Sequence, residues 1–186
     1  MDPITVVGRE GKGGVYLLRL RIAEPLAVAF GRFRQGEPQP IPAGEMVYVG
    51  SALGGLAARL LRHATRSDGR PPQPLRAAML AEFPRLGLAG ANLRPPTGKK
   101  LHWHVDYLLD ETAVTLTHVL ILRTSARLEE SLGRWLGAQP ETAVILPGLG
   151  ARDVRGSTHL LRIAAPESWW QALPARFQAG LDTGTF

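Results

Sequence analysis

The segment EMVYVGSALGGLAARLLRH, residues 45–63, restricts the possible folds more than any other part of the chain. Residues 45–50 are mostly apolar, β-branched or aromatic, which predicts a strand, and a loop of small residues follows them. Residues 55–66 then show helical periodicity, with leucines and alanines on one side. A strand that leads straight into an amphipathic helix predicts that the helix packs on a sheet. The opposite side of this helix is predicted to present the basic residues Arg59, Arg62, His63 and Arg66.

Apolar runs elsewhere complete the prediction of an α+β fold. Further strands are predicted at 13–22, 26–33, 114–124 and 158–163. Further helices are predicted at 74–83, 126–138 and 166–181, with Ser125 as the N-cap of the second. We expect a small, mostly antiparallel sheet flanked by helices in one domain over residues 1–165. An insertion at about 67–97 interrupts this domain, and a helical tail over 166–186 follows it.

The segment KKLHWHVDYLLDE, residues 99–111, fits two patterns. As a strand it would alternate, with Leu101, Trp103, Val105, Tyr107 and Leu109 on one face and His102, His104 and Asp106 on the other. As a helix it would form its core stripe from Leu101, Val105, Leu108 and Leu109. The periodicity leaves both interpretations open.

Composition favours a cytoplasmic protein with a nucleic-acid partner. The 186 residues include no cysteine, which excludes disulfides, thiolate nucleophiles and cysteine-ligated zinc. No apolar run approaches the roughly 20 residues that span a bilayer, and the N-terminus lacks a secretory signal pattern, so we expect no membrane association. The 22 basic residues outnumber the 16 acidic ones, and arginine suits phosphate recognition. The oligomeric state stays open, with Trp169 and Trp170 as a candidate contact between protomers.

Two Tyr-Gly tripeptides carry a family resemblance. They are Gly14-Val15-Tyr16 and Tyr48-Val49-Gly50, and Arg59 follows the second on the predicted helix. In this arrangement the chain resembles the GIY-YIG nuclease superfamily. The segments KKLHWHVDYLL and GLGARDVRGSTHL are similar to those of its Uri-type endonuclease-like branch. In the second segment Asp153, His159 and Leu160 match, whereas two cysteine positions of the branch are Val154 and Gly156 here. The resemblance covers residues 13–66 and 98–163.

The resemblance implies a metal-dependent endonuclease acting on DNA, with Mg²⁺ or Mn²⁺. Tyrosine would lie near the attacking water and arginine on the phosphate, so Tyr16, Tyr48, Arg59 and His63 are the candidate catalytic residues. A glutamate on the later helix would hold the metal, and helix phase turns Glu129 toward the protein and Glu130 toward solvent. Arg62, Arg66, Lys99 and Lys100 are candidate nucleic-acid contacts. The candidate supporting residues are Gly14, Gly50, Ser51, His102, His104, Asp106, Asp153 and His159.

Two other functions are open at this point. The altered closing motif leaves open a nucleic-acid-binding domain that has lost its chemistry. On a strand, His102, His104 and Asp106 would share a face and could instead hold a zinc ion for another hydrolysis. The glycine-rich loop before the helix lacks the Lys-Ser/Thr pair of nucleotide hydrolases, so binding of a nucleoside triphosphate is not expected.

Overall fold

A computed structural model describes residues 1–9, 11–150 and 158–185 and confirms the predicted α+β class. Six strands form one sheet in the order β1-β6-β2-β5-β8-β7, in which β1 runs parallel to β6 and the other neighbours are antiparallel. A second sheet contains β3 and β4. The strands are β1 (Ile4–Val7), β2 (Gly14–Ile22), β3 (Leu26–Val28), β4 (Gln39–Ile41), β5 (Gly44–Ala52), β6 (Val114–Arg123), β7 (Thr142–Ala143) and β8 (Leu160–Ile163).

The helices divide between the two faces of the large sheet. They are α1 (Leu56–His63), α2 (Leu75–Arg85), α3 (His104–Asp110), α4 (Glu129–Gly137) and α5 (Glu167–Thr183). Successive side chains of a strand point to opposite faces, so each central strand contributes to two cores. In β2, Tyr16, Leu18 and Leu20 pack with α1, α2 and α3, whereas Val15 and Leu17 pack with α4 and α5. The tyrosines of interest therefore lie on the α1–α3 side.

The segment around α2 and the C-terminal helix are both part of these cores. Met79 and Phe83 of α2 are completely buried in the core that also contains α1 and α3. Trp169 and Trp170 of α5 are buried at 9% and 1% exposure against the other face, so they do not offer an exposed surface for a second protomer. In the described part of the chain, no helix has the length and apolar character needed to span a membrane.

Local geometry corrects several sequence predictions. The strand predicted over 26–33 ends at Val28, because Gly31 takes a left-handed conformation (φ +61°) and a 3₁₀ helix spans Phe33–Gly36. Ser125 does not cap a helix: α4 begins at Glu129, and the backbone N–H of residue 126 is bound by the Thr124 hydroxyl. The ambiguous segment 99–111 becomes helical at His104. The short strands β1, β4 and β7 carry too few alternating residues to have been predicted.

Candidate active site

The two tyrosines of the tripeptides lie on adjacent central strands. Strands β2 and β5 pair so that Tyr16 is opposite Gly50 and Leu18 is opposite Tyr48. The tyrosine rings are tilted, with centroids 6.4 Å apart, and their residues are only 1% and 4% exposed. The two motif tyrosines therefore form one aromatic cluster under α1.

Gly50 and Gly14 are glycines because of close approaches. A Cβ atom at Gly50 would lie 2.6 Å from the Tyr16 hydroxyl oxygen and 2.8 Å from Cε1 of Tyr48. A Cβ atom at Gly14 would lie 1.9 Å from the carbonyl oxygen of Leu122 on β6. Gly50 thus leaves the space in which both tyrosines sit, and Gly14 lets β2 and β6 meet.

We predict that Gly50→Ala displaces the two tyrosines and destabilises the fold by about 1–3 kcal/mol, the usual cost of overpacking a core. Chemical denaturation monitored by tyrosine and tryptophan fluorescence measures this change. Gly137→Ala at the end of α4 is the matched control, since a Cβ atom there meets nothing within 4 Å. Equal stability of the two variants would contradict the proposed role of Gly50.

His63 joins Tyr16 to an acidic group. The Tyr16 hydroxyl and His63 Nε2 are hydrogen-bonded at 2.7 Å, and on the other side of the ring His63 Nδ1 lies 3.3 Å from Oδ1 of Asp106. His63 is fully buried, which corrects the prediction that α1 presents it to solvent beside Arg59. The cover is the segment before α3, whose Trp103 ring lies 6.1 Å from the His63 ring.

Asp106 is a completely buried carboxylate surrounded by donors. Arg62 Nη1 donates to both of its oxygens, at 2.9 and 2.7 Å, and the backbone N–H groups of His102 and Trp103 each donate to Oδ2 at 3.0 Å. Burial alone would raise the pKa of Asp106, but the neighbouring His63, Lys99 and Arg62 outweigh it and hold this pKa well below its ordinary value. Asp106 is therefore ionised at neutral pH.

Lys99 is an interior cation rather than a surface contact. Its side chain is fully buried, and Nζ lies 3.8 Å from Oδ1 of Asp106. Burial lowers the pKa of Lys99 to about 8, although the charges of Asp106 and Asp110 act in the opposite direction. The predicted contact between Lys99 and nucleic acid is therefore incompatible with its position.

Arg59 and Arg62 both lie against one tryptophan. The guanidinium carbons are 3.8 Å and 4.5 Å from the centroid of the Trp103 ring, within the range of cation–π attraction. The two arginines also line an open cavity of about 330 Å³ next to the loop over residues 52–55. The predicted basic surface therefore exists at these two positions. Trp103 holds both arginines, a role that the sequence pattern did not reveal.

Glu129 approaches the ends of β2 and β5 from the α4 side of the sheet. It is the first residue of α4, its side chain is 34% exposed, and its Oε2 accepts a short hydrogen bond from the Ser51 hydroxyl. His159 Nδ1 lies 3.3 Å from Oε1. Glu130 points outward and lies 3.6 Å from Arg134. The predicted difference in orientation between the two glutamates is confirmed.

The charge of Glu129 is electrostatically linked to the tyrosine cluster. Burial would raise its pKa, but hydrogen bonds from His159 and Ser51 and the charge of Arg59 lower it below the ordinary value. Burial and Tyr48 raise the pKa of Tyr16 well above its ordinary value, Arg59 lowers it, and Glu129 raises it further. Arg59 thus acts electrostatically on both groups.

Several predicted site residues lie elsewhere. Arg66 is buried at 8% exposure and donates to the backbone carbonyls of Leu109, Pro71, Glu111 and Val114, so its predicted place on an exposed face is wrong. Lys100 is exposed, and its carbonyl oxygen accepts a short hydrogen bond from Arg62. Asp153 lies outside the described residues.

The histidines of the 99–111 segment separate because the segment is helical. His102 is exposed and stacks edge-on against Trp103, whereas His104 packs against Phe30 and Phe33 and accepts a hydrogen bond from the backbone N–H of Gly150 at 2.9 Å. Asp106 faces His63 instead. The shared face proposed for zinc therefore does not form. Within residues 1–9, 11–150 and 158–185, no cluster of three or more His, Cys, Asp or Glu side chains is arranged to hold a metal ion.

Comparison with known proteins identifies a family for this fold and site. The model of a family described as "Domain of unknown function DUF123" matches residues 15–180, from β2 to α5, and so includes the tyrosine cluster, α1, α3 and Glu129. Neither the curated proteins nor the solved structures gave a match to the chain. Because the family match covers most of the sequence, this protein belongs to the DUF123 family.

Proposed function

We propose that this protein is a metal-dependent endonuclease of the GIY-YIG type that hydrolyses phosphodiester bonds in DNA. The observation that carries the proposal is the meeting of Tyr16, Tyr48 and His63 in one cluster, with Arg59 in electrostatic range of Tyr16 and lining an adjacent open cavity. The resemblance implied these residues as one reaction centre. Their agreement with the observed packing supports the proposal.

Arg59 suits the phosphate in this reaction. Its guanidinium stacks on Trp103 and borders the open cavity, so its planar donors can reach an incoming phosphate while the stem stays fixed. Charge grows on the phosphoryl oxygens in the transition state, and a preorganised cation there lowers the barrier. The neighbouring Arg62 is already committed to Asp106 and supplies background charge instead.

Glu129 is suited to be the single carboxylate ligand of Mg²⁺ or Mn²⁺. It is held ionised, it is partly exposed, and Ser51 and His159 fix its orientation. A carboxylate accepts about four hydrogen bonds, so these two contacts leave lone pairs for a metal that keeps several waters. When bound, the ion would polarise the phosphate and stabilise the charge on the departing oxygen.

One observation favours a second candidate, a nucleic-acid-binding domain without chemistry. Tyr16 and Tyr48 are almost completely buried, and neither of them lines the cavity beside Arg59. A pure binding domain would retain the basic surface of Arg59 and Arg62 and bind DNA with strong salt dependence.

Incubation with branched and single-stranded DNA in Mg²⁺ or Mn²⁺ separates the two functions. The nuclease proposal predicts cleavage that stops on chelation of the metal. The alternative predicts binding that weakens as salt rises, with no cleavage in any metal. An RNA of the same sequence shows whether the activity is restricted to DNA.

A further inference from the structure

We infer that Asp106 is a positioning residue that fixes a proton on Nδ1 of His63, so that Nε2 of the same ring accepts the hydroxyl proton of Tyr16. This inference rests on the proposed function for its catalytic consequence. Its structural content, the protonation state of one ring, is independent of any activity.

The geometry of the chain Asp106–His63–Tyr16 determines the direction of each contact. Nδ1 of His63 makes no hydrogen bond within the described residues, and Oδ1 of Asp106 lies 3.3 Å from it. Because an ionised carboxylate only accepts, this ion-pair contact is favourable when Nδ1 carries a proton. A neutral imidazole has one proton, which leaves Nε2 as an acceptor. The hydroxyl of Tyr16, 2.7 Å from Nε2, is then the donor. All three side chains are at most 1% exposed.

The donors around Asp106 keep it in this role. Arg62 and two backbone N–H groups bind the carboxylate directly, and Lys99 adds a positive charge 3.8 Å away. A buried carboxylate with this many donors is fixed in place and in charge. Asp106 is therefore placed to act on the reaction through His63.

This arrangement gives the hydroxyl proton of Tyr16 an acceptor, Nε2 of His63. As water attacks phosphorus, a water proton passes to the Tyr16 oxygen and the Tyr16 hydroxyl proton passes to His63 Nε2. The new bond is water oxygen to phosphorus. The bond that breaks joins phosphorus to the departing oxygen, which keeps the electron pair and takes a proton from solvent. The imidazolium, stabilised by Asp106, later returns its proton to solvent.

The charged groups facing His63 set the direction of its titration. They are Asp106 of α3, Lys99 before α3 and Arg59 of α1, with the hydroxyl groups of Tyr16 and Tyr48 opposite. Burial lowers the pKa of His63 below its ordinary 6.5, whereas Asp106 raises it and Lys99 and Arg59 lower it. His63 is therefore neutral at pH 7 and able to accept a proton.

Long-range ¹H–¹⁵N NMR of the histidine rings tests the inference in the intact protein. In the wild type at pH 7.5 (about one unit above the ordinary histidine pKa), we expect protonated Nδ1 and bare Nε2 at His63. The opposite pattern would overturn the inference directly, whether or not the protein cleaves DNA.

Asp106→Asn tests the cause. In the wild type, two backbone N–H groups donate to Oδ2 of Asp106. In the variant, the asparagine side-chain oxygen should therefore occupy this position and leave the asparagine NH₂ group facing Nδ1 of His63. We expect the protonated nitrogen of His63 to change from Nδ1 to Nε2. Asp110→Asn is the control, because Asp110 is equally buried in α3 but binds Ser67 and Arg70. An unchanged His63 pattern in a folded Asp106→Asn protein would overturn the assignment.

The kinetic consequence is separate. With an active nuclease, Asp106→Asn should lower kcat by about 10²–10⁴-fold with little change in KM, as a wrong histidine tautomer does in hydrolytic triads. Removing the carboxylate also removes the influence that raises the pKa of His63, so the acid limb of the pH profile should move to lower pH. A higher KM with an unchanged kcat in Asp106→Asn would contradict this role of Asp106.

Discussion

Arg59→Ala is expected to lower metal-dependent DNA cleavage by about 10³-fold or more, within the range measured when a charge-stabilising arginine is lost from a phosphoryl-transfer site. Arg59 lines the open cavity and lies 3.8 Å from the Trp103 ring, so its loss removes a fixed cation without opening the core. Single-turnover rates at saturating protein measure this effect on the chemical step.

Two variants make the Arg59 result specific. Arg134→Ala removes an exposed arginine from α4 and should leave the rate unchanged. Arg59→Lys keeps the charge but loses the planar fork, so it should recover only part of the rate. If Arg59→Ala cleaves DNA as fast as Arg134→Ala, Arg59 takes no part in the reaction.

Glu129→Gln is expected to produce the second large effect, a loss of the response to Mg²⁺ and Mn²⁺. A neutral amide is a poor ligand for a hard cation, and the wild-type carboxylate is kept ionised by Ser51, His159 and Arg59. We expect cleavage to fall by about 10²-fold or more at fixed metal concentration, consistent with losing a metal's stabilisation of several kcal/mol.

The adjacent glutamate supplies the control for Glu129. Glu130→Gln changes the same charge one residue further along α4, where the side chain points to solvent beside Arg134. Titration with Mn²⁺ followed by electron paramagnetic resonance should show weaker binding for Glu129→Gln alone. Equal metal affinity in both variants would place the metal away from Glu129.

The sequence predicted those features that depend on local periodicity. The strand–loop–helix around Tyr48 and Arg59 and the inward phase of Glu129 both follow from spacing within a short segment. These patterns were sufficient to predict the α+β class, whereas the candidate catalytic residues were those that the family resemblance implied.

The sequence pattern did not predict that the polar side of α1 is partly buried, because the residues that cover it are distant in sequence. The helical wheel placed His63 and Arg66 on the exposed side, but each contacts the segment 99–111 through a residue 43 positions later in the chain. That segment was ambiguous because its period-two and helical patterns coincide. Its helical form takes Asp106 to His63 and separates His102 from His104.

Lys99 and Trp103 show the same limitation. A lysine before a helix is usually a solvated charge, yet Lys99 is buried beside Asp106. The strand alternative placed Trp103 on a face with Leu101 and Val105, yet its ring contacts two arginines at the candidate site. Neither role could be predicted without knowing which elements are neighbours in space.

The proposed nuclease activity is tested most directly by comparing wild type with Arg59→Ala on one labelled branched DNA, with binding and cleavage measured in the same samples. We predict that both proteins bind, that the wild type cuts only when Mg²⁺ or Mn²⁺ is present, and that Arg59→Ala cuts about 10³-fold more slowly or not at all. Binding by the wild type without cleavage beyond that of Arg59→Ala, in either metal, would contradict the proposal and identify a nucleic-acid-binding domain.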